Sequence, residues 1–183
     1  QRQMCIRDSS RTDFDLKSHQ QYSKRKIQYF DSELNKSYIP YVIETSIGLD
    51  RMFLAIMCNS YKEEVINDNE KRTVLSIPKF LAPIKLAILP LTRKDGLSEK
   101  AKKIFNDLKL EFNCCYEEKD SIGKRYRRQD AIGTPFCLTI DHQTLEDDTC
   151  TLRYRDKMNQ KRVKIKEVFE ILDKEVNLKN FIV

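Results

Sequence analysis

A carboxylate before a lone glycine, and a guanidinium after it with Asp50 beside it, interrupt the apolar run "YVIETSIGLDRMFLAIM", residues 41–57. A buried charge without water or a partner is strongly unfavourable, so Glu44 and Arg51 need a reason to be there. On a strand, Glu44 and Ser46 share a face, because side chains alternate with period two. Gly48 permits a tight turn into a helix and the close approach of a ligand. Arg51, in the first turn of that helix, carries a planar fork of donors suited to a phosphate or carboxylate. The set offers an anion for an ammonium group and a cation for a phosphate at adjacent ends of one cleft. A plainer reading is that Glu44 and Arg51 pair with each other or with neighbours such as Asp50.

A second concentration of charge lies further on. Lys124, Arg125, Arg127 and Arg128 cluster around Tyr126. Residues 153–166 add seven basic side chains, Arg153 and Arg155 among them, against the single Asp156. Lys and Arg on phosphates, with aromatic stacking on unpaired bases, grip single-stranded RNA; a solvated charged face accounts for the same pattern.

The elements that must carry these residues follow from periodicity. "SYIPYVIETS" is rich in β-branched and aromatic residues and predicts a strand. Leu49, Met52, Phe53 and Ile56 fall at helical spacing, and Leu54, Met57 and Cys58 widen the stripe until it is apolar nearly all round, which predicts a deeply buried helix. The polar "KEEVINDNEKR" loosens the pattern, and "IPKFLAP" is a connector between two units. Beyond Pro83 come a strand "IKLAILPL", a helix from Ser98 to about Leu110 and a strand "EFNCCYE". A helix from Ser121 to Ile132, strands "PFCLTID", "TCTLRYRD" and "KRVKI", and a helix ending near Val176 complete the chain. Ser98 and Ser121 are candidate N-caps and Gly133 a helix stop. Strand–helix alternation predicts right-handed crossovers, three layers and a five-stranded mixed sheet. The short polar link "HQTLEDD" requires the strand after it to run antiparallel.

At 183 residues the chain is long enough for one domain and a piece of another. Its 40% hydrophobic and 34% charged residues describe a soluble protein, and no apolar run has the length a membrane helix needs. The net charge of +6 permits a polyanionic partner without demanding one. Six cysteines without C-x-x-C spacing, beside only His19 and His142, predict buried or half-buried free thiols rather than a zinc cluster or disulfide scaffold. "QRQMCIRDSS", residues 1–10, has no periodicity and is set aside as a non-native or disordered segment.

Several ordered blocks together resemble one family. "YIPYVIETSIGLDRMFLAIM" is similar to the third signature motif of class II aminoacyl-tRNA synthetases, in the form found in the dimeric glycyl-tRNA synthetases. Glu44, Ser46, Gly48 and Arg51 match, and Thr45 stands where proline is usual. The likeness continues in "RTDFDLKSHQ", "LAPIKLAILPL", "GKRYRRQDAIGTPF" and "LRYRDKMNQ", from Arg11 to about Leu172. Ala131 departs from a usual acidic residue and Tyr154 from a common aspartate.

The resemblance implies residues 11–80 as an incomplete C-terminal remnant of an antiparallel catalytic domain, and 81–183 as a three-layer α/β/α anticodon-binding domain. It implies a glycine site at Glu44, Thr45, Ser46, Ile47 and Gly48, and ATP contacts from Gly48, Leu49, Asp50 and Arg51, with Arg51 catalytic. ATP is the co-substrate and magnesium belongs to the reaction. Contacts to the tRNA for glycine are expected from Lys124, Arg125, Tyr126, Arg127, Arg128, Arg153 and Arg155, and from the strand-end loops "LPLTRKD" and the one before Ser121. A cytoplasmic homodimer is implied for the full-length enzyme, with this piece inactive alone because the first two motifs are absent. The rivals are a non-catalytic RNA-binding accessory protein and a class II synthetase of another specificity.

Overall fold

A computed structural model describes residues 8–67 and 70–182, with only the backbone for Asp8 and Ser9. The chain divides into two compact units, residues up to Ala55 and residues from Ile56. The first holds β1 (Asp8–Thr12), α1 (Phe14–Ser23), β2 (Tyr29–Asp31), β3 (Lys36–Tyr38) and β4 (Val42–Thr45); α2 (Leu49–Ser60) crosses into the second. β1 pairs antiparallel with β4, Ser9 opposite Glu44 and Ser10 opposite Ile43, and β2 with β3 forms a hairpin. Asp8–Ser10, set aside in the sequence, are therefore strand, since a backbone ladder needs no side-chain pattern; residues 1–7 lie outside the described residues. The single strand predicted across "SYIPYVIETS" is two, parted around Pro40, which cannot donate to a ladder.

α2 has the predicted span but not the predicted burial. Leu49, Met52, Phe53 and Leu54 are exposed, Phe53 by 64%, because among the described residues nothing covers that side of the helix.

The second unit opens with the antiparallel hairpin β5 (Tyr61–Asn67) and β6 (Glu70–Leu75), around the polar stretch for which the sequence predicted no element. Its inward face is Arg72 and Val74, and a buried arginine reads as polar in any periodicity test. β7 (Leu86–Pro90), α3 (Leu97–Leu108), β8 (Cys114–Tyr116), α4 (Ile122–Ile132) and β9 (Phe136–Ile140) alternate as expected. α5 (His142–Asp147), β10 (Thr149–Tyr154), β11 (Gln160–Lys164) and α6 (Ile165–Val176) follow.

The five-stranded sheet has the order β11-β10-β9-β7-β8, with β7 parallel to β8 and β9, and β10 antiparallel to β9 and β11. β7 lies inside the sheet and is buried on both faces, which is why it reads as a continuous apolar run. Its alternation sorts the layers. Leu86 and Ile88 join Phe136, Leu138 and Ile140 against Leu97, Ala101 and Ile104 of α3 and Val168 and Leu172 of α6. Ala87 and Leu89 join Cys137 against Ile122 and Tyr126 of α4. Large apolar side chains thus build one interface, and on the other Ala87 and Cys137 are small and leave room for polar groups from α4.

The link 142–148 is not plain loop but contains α5. Asp141 caps it: its Oδ1 accepts from the Thr144 N–H at 3.1 Å while Thr144 Oγ1 accepts from the Asp141 N–H at 3.1 Å. Six residues of helix span only about 9 Å, so the antiparallel return survives. At α3 the cap position is Gly96, with φ of 76°, not Ser98, which is buried within the first turn and donates to Glu118. Ser121 occupies the N-cap position of α4 without a side-chain cap bond. Gly133, with φ of 86°, stops that helix as expected.

Candidate functional site

β4 ends at Thr45, three residues connect it to α2, and Glu44, Ser46, Gly48 and Arg51 all lie on this one exposed strand–connection–helix segment. Thr45, Ile47, Leu49 and Asp50 are exposed beside them. Neither charge is sealed in an interior; the Glu44 side chain is 54% exposed. Its Oε2 lies 3.6 Å from Arg11 Nε, and Arg11 itself is held by Asp15 through bonds of 2.8 and 2.9 Å. Hydrogen bonding and charge from Arg11 hold the Asp15 carboxyl below its ordinary value.

Gly48 is not required for the turn that the sequence assigned to it. Its φ is not in the left-handed region, and a Cβ there would meet only Arg51 side-chain carbons at 3.8 Å or beyond. The turn therefore does not require glycine. What a side chain would take away is open space beside Arg51, which leaves close approach of a ligand as its use.

The basic residues expected to meet RNA separate into two groups. Arg153 is buried and grips Asp130 with both terminal nitrogens, at 2.7 and 2.9 Å, while its guanidinium stacks 4.7 Å above the Tyr126 ring. Tyr126 in turn bonds Thr139 Oγ1 at 2.6 Å. Asp130, fully buried, also accepts from Arg72 at 3.0 Å, and Arg72 reaches Glu64 and the Arg155 carbonyl. Burial alone would lower the Arg153 pKa, but the bonds from Asp130 more than offset it and the group stays charged. Arg155 donates to the carbonyls of Gly133 and Ile77 and to Asp156.

Arg125 is buried too, and burial pulls its pKa down. It donates to the carbonyls of Pro90 (2.7 Å), Glu117 (3.1 Å) and Leu91 (3.3 Å). The side chains of Arg125, Arg153 and Arg155 are thus turned into the fold and Tyr126 is half-buried beneath Arg153, which removes them from an RNA surface; Arg125 Nε is buried there without a hydrogen-bond partner among the described residues. Arg127 pairs with Glu70, and Arg128 with Glu117 and Asp120, at partly exposed positions. Lys124 stands exposed, without a hydrogen-bond partner among the described residues.

Through Arg125 the structure joins the carboxyl ends of β7 and β8, where the two expected loops leave the sheet. Arg93, Lys94 and Asp95 of the first loop and Lys119 and Asp120 of the second are exposed. Arg93 Nε donates to the Glu118 carbonyl at 3.0 Å. The Glu118 carboxylate accepts from Tyr116 at 2.5 Å and Ser98 at 3.0 Å, both on Oε2, and the Tyr116 bond foremost holds it below its ordinary pKa. The sequence pointed to both loops but singled out neither Arg93 nor Glu118 within them, because they stand outside the basic run; only their meeting at adjacent strand ends marks them.

The described cysteines are free. Burial pushes Cys114 up to about 12 and Cys115 up to about 11, and raises Cys137 further, while Cys58, against expectation, is exposed. Among the described residues no three His, Cys, Asp or Glu stand together to hold a metal ion. No helix of the described residues is long and apolar enough to cross a membrane.

Residues 85–175 match the anticodon binding domain family. Over 163 residues, 89% of this chain and 34% of the relative, the sequence is 50% identical to a glycine–tRNA ligase of Chlorobaculum tepidum. Over 166 residues, 91% of this chain and 36% of the relative, it is 48% identical to a glycine–tRNA ligase of Lachnoclostridium phytofermentans. The chain spans about a third of the length of the curated relatives it matches. Among solved structures it is similar to the RNA binding domain of threonyl-tRNA synthetase from Cryptosporidium parvum Iowa II, with a TM-score of 0.64 at 18% identity over 82% of this chain and 35% of that one. At that identity the likeness is one of fold.

Proposed function

The chain belongs to the glycyl-tRNA synthetase family and matches the C-terminal part of its members, and from that premise we propose that it serves ATP-dependent attachment of glycine to its tRNA. The observation that carries this reading is the open segment holding Glu44, Ser46, Gly48 and Arg51 together, within a stretch half identical to glycine–tRNA ligases. Glu44 and Ser46 would take the substrate ammonium, with Thr45, Ile47 and Gly48 lining a pocket too small for larger side chains. Gly48, Leu49 and Asp50 would border ATP, and the Arg51 fork would hold its terminal phosphates.

The glycine carboxylate then attacks the α-phosphorus. A carboxylate–phosphorus bond forms as the bond to the β-phosphate oxygen breaks and pyrophosphate leaves. Arg51 assists by position and charge rather than by moving a proton. The glycyl group passes next to a hydroxyl of the tRNA end, forming an ester as the carboxyl–phosphate bond breaks and AMP leaves. Transfer RNA recognition falls to the second unit, and the exposed apolar side of α2 is assigned to burial against parts of the longer enzyme. A cytoplasmic homodimer belongs to the same proposal.

The test is glycine-dependent exchange of pyrophosphate into ATP by a full-length ligase carrying this chain, against Arg51→Ala and Glu44→Ala. We expect exchange to fall by roughly a hundredfold or more for Arg51→Ala, as when one charge-stabilising donor is removed. Glu44→Ala should act mainly by raising the KM for glycine. Exchange that is absent, or indifferent to Arg51, favours the accessory RNA-binding role; exchange dependent on another amino acid reassigns the specificity.

A further inference from the structure

We infer that Arg93 and Glu118 together read one cytosine of the glycine anticodon, the guanidinium fork donating to N3 and O2 and the carboxylate accepting from the N4 amino group. This rests on the reading of the second unit as the tRNA-binding part of a glycine–tRNA ligase. The two residues leave the carboxyl ends of the adjacent parallel strands β7 and β8, the edge at which open α/β sheets take their ligands. Arg93 is exposed, and its Nε bond to the Glu118 carbonyl ties one loop to the other. That bond fixes the plane of the guanidinium. Among the described residues its two terminal nitrogens have no hydrogen-bond partner.

Glu118 is prepared in the same way. Tyr116 and Ser98 both bond Oε2, so the carboxylate is oriented while Oε1 has no partner among the described residues. Lys102 and Arg93 are the cations that face it. Beneath both residues, Arg125 holds the Pro90, Leu91 and Glu117 carbonyls in one cluster, which sets the separation of the two loops.

The pairing of charges decides what this edge can bind. A site for phosphate alone gathers cations; a carboxylate within electrostatic reach of the fork repels phosphate and favours a base edge that mixes donors with acceptors. Adenine, cytosine and guanine each present an amino donor beside an acceptor, and uracil does not. Glycine codons begin with two guanines, so the second and third anticodon positions are cytosines. Uracil there would set O4 against the carboxylate and the N3–H against the fork, which opposes acceptor to acceptor and donor to donor.

The experiment uses full-length ligase carrying Arg93→Met, Arg93→Lys or Glu118→Gln. Aminoacylation is measured on tRNA with the natural anticodon and with each of the two cytosines changed singly to uracil, and pyrophosphate exchange is measured in parallel. The unaltered enzyme should prefer cytosine by roughly tenfold or more at one of the two positions. Both Arg93 variants should lose most of that preference, through a higher KM for the natural tRNA. Glu118→Gln should narrow it, since an amide can turn its N–H toward O4. Exchange should stay unchanged in all three, which also reports an intact fold. Preference retained in Arg93→Met, or an Arg93→Lys enzyme that behaves as unaltered, would mean no fork contact to a base and overturn the assignment. Loss of glycine-dependent exchange in the unaltered enzyme would instead overturn the ligase reading beneath it.

Discussion

Asp130 shows at the scale of one residue what a buried charge requires. Its two oxygens accept three hydrogen bonds from Arg153 and Arg72, and the excess positive charge is met by Glu64, itself only half-buried. Removing one partner from such a set leaves the others charged and unsolvated. Asp130→Ala should therefore cost about 3–5 kcal/mol, enough to lower the thermal midpoint by many degrees. An Asp130→Ala chain melting with the unaltered one would show the network to be idle. The same residues explain why a basic cluster misleads. Arg125, Arg153 and Arg155 stand among surface-like neighbours in the sequence, yet each finds carbonyls or a carboxylate inside the fold. Charge pattern gives the type of side chain and not its direction.

Among the elements, α5 joins local and long-range control. Asp141 caps it through Thr144 and also receives Arg162 from β11 at 2.5 and 2.9 Å, so one carboxylate fixes both the helix start and the sheet edge. Burial alone would raise its pKa, but the bonds from Arg162 and Thr144 outweigh that and the net shift is downward. A folded pKa below the unfolded value of about 3.9 means that the ionised group contributes stability in full well above that value. The contribution is lost as pH falls from there through the folded pKa. Asp141→Asn should lower the urea midpoint at neutral pH and flatten its acid limb below about pH 4. A limb of unchanged slope would remove Asp141 from acid unfolding. Strand and helix types in this half were legible because aliphatic periodicity is local. β5, β6 and α5 were not, since their signals are a buried arginine and a two-residue cap.

For the whole second unit, the cations left at the carboxyl edge after structural arginines are set aside are Arg93, Lys94, Lys119 and Lys124. Replacing Lys94, Lys119 and Lys124 with Ala should weaken tRNA binding evenly across anticodons. The slope of log K against log salt should become shallower by about 0.7 for each phosphate that is no longer neutralised. An unchanged slope, read by filter binding between low and physiological salt, would place the RNA on another face. The three replacements touch no buried network, so the thermal midpoint should stay where it is.

Sequence alone determined the alternating architecture after Pro83, the mixed sheet and the family likeness. Each of these is written in aliphatic spacing or in contiguous residues such as "ETSIGLDR". Tertiary structure decided which charges face inward, that the described chain leaves one side of α2 uncovered, and that Arg93 meets Glu118. Those outcomes depend on partners distant in the chain, 25 residues away for Arg93 with Glu118 and 83 for Arg72 with the Arg155 carbonyl. A guanidinium takes its role from what the fold sets within about 3 Å of it, and no local pattern carries that information.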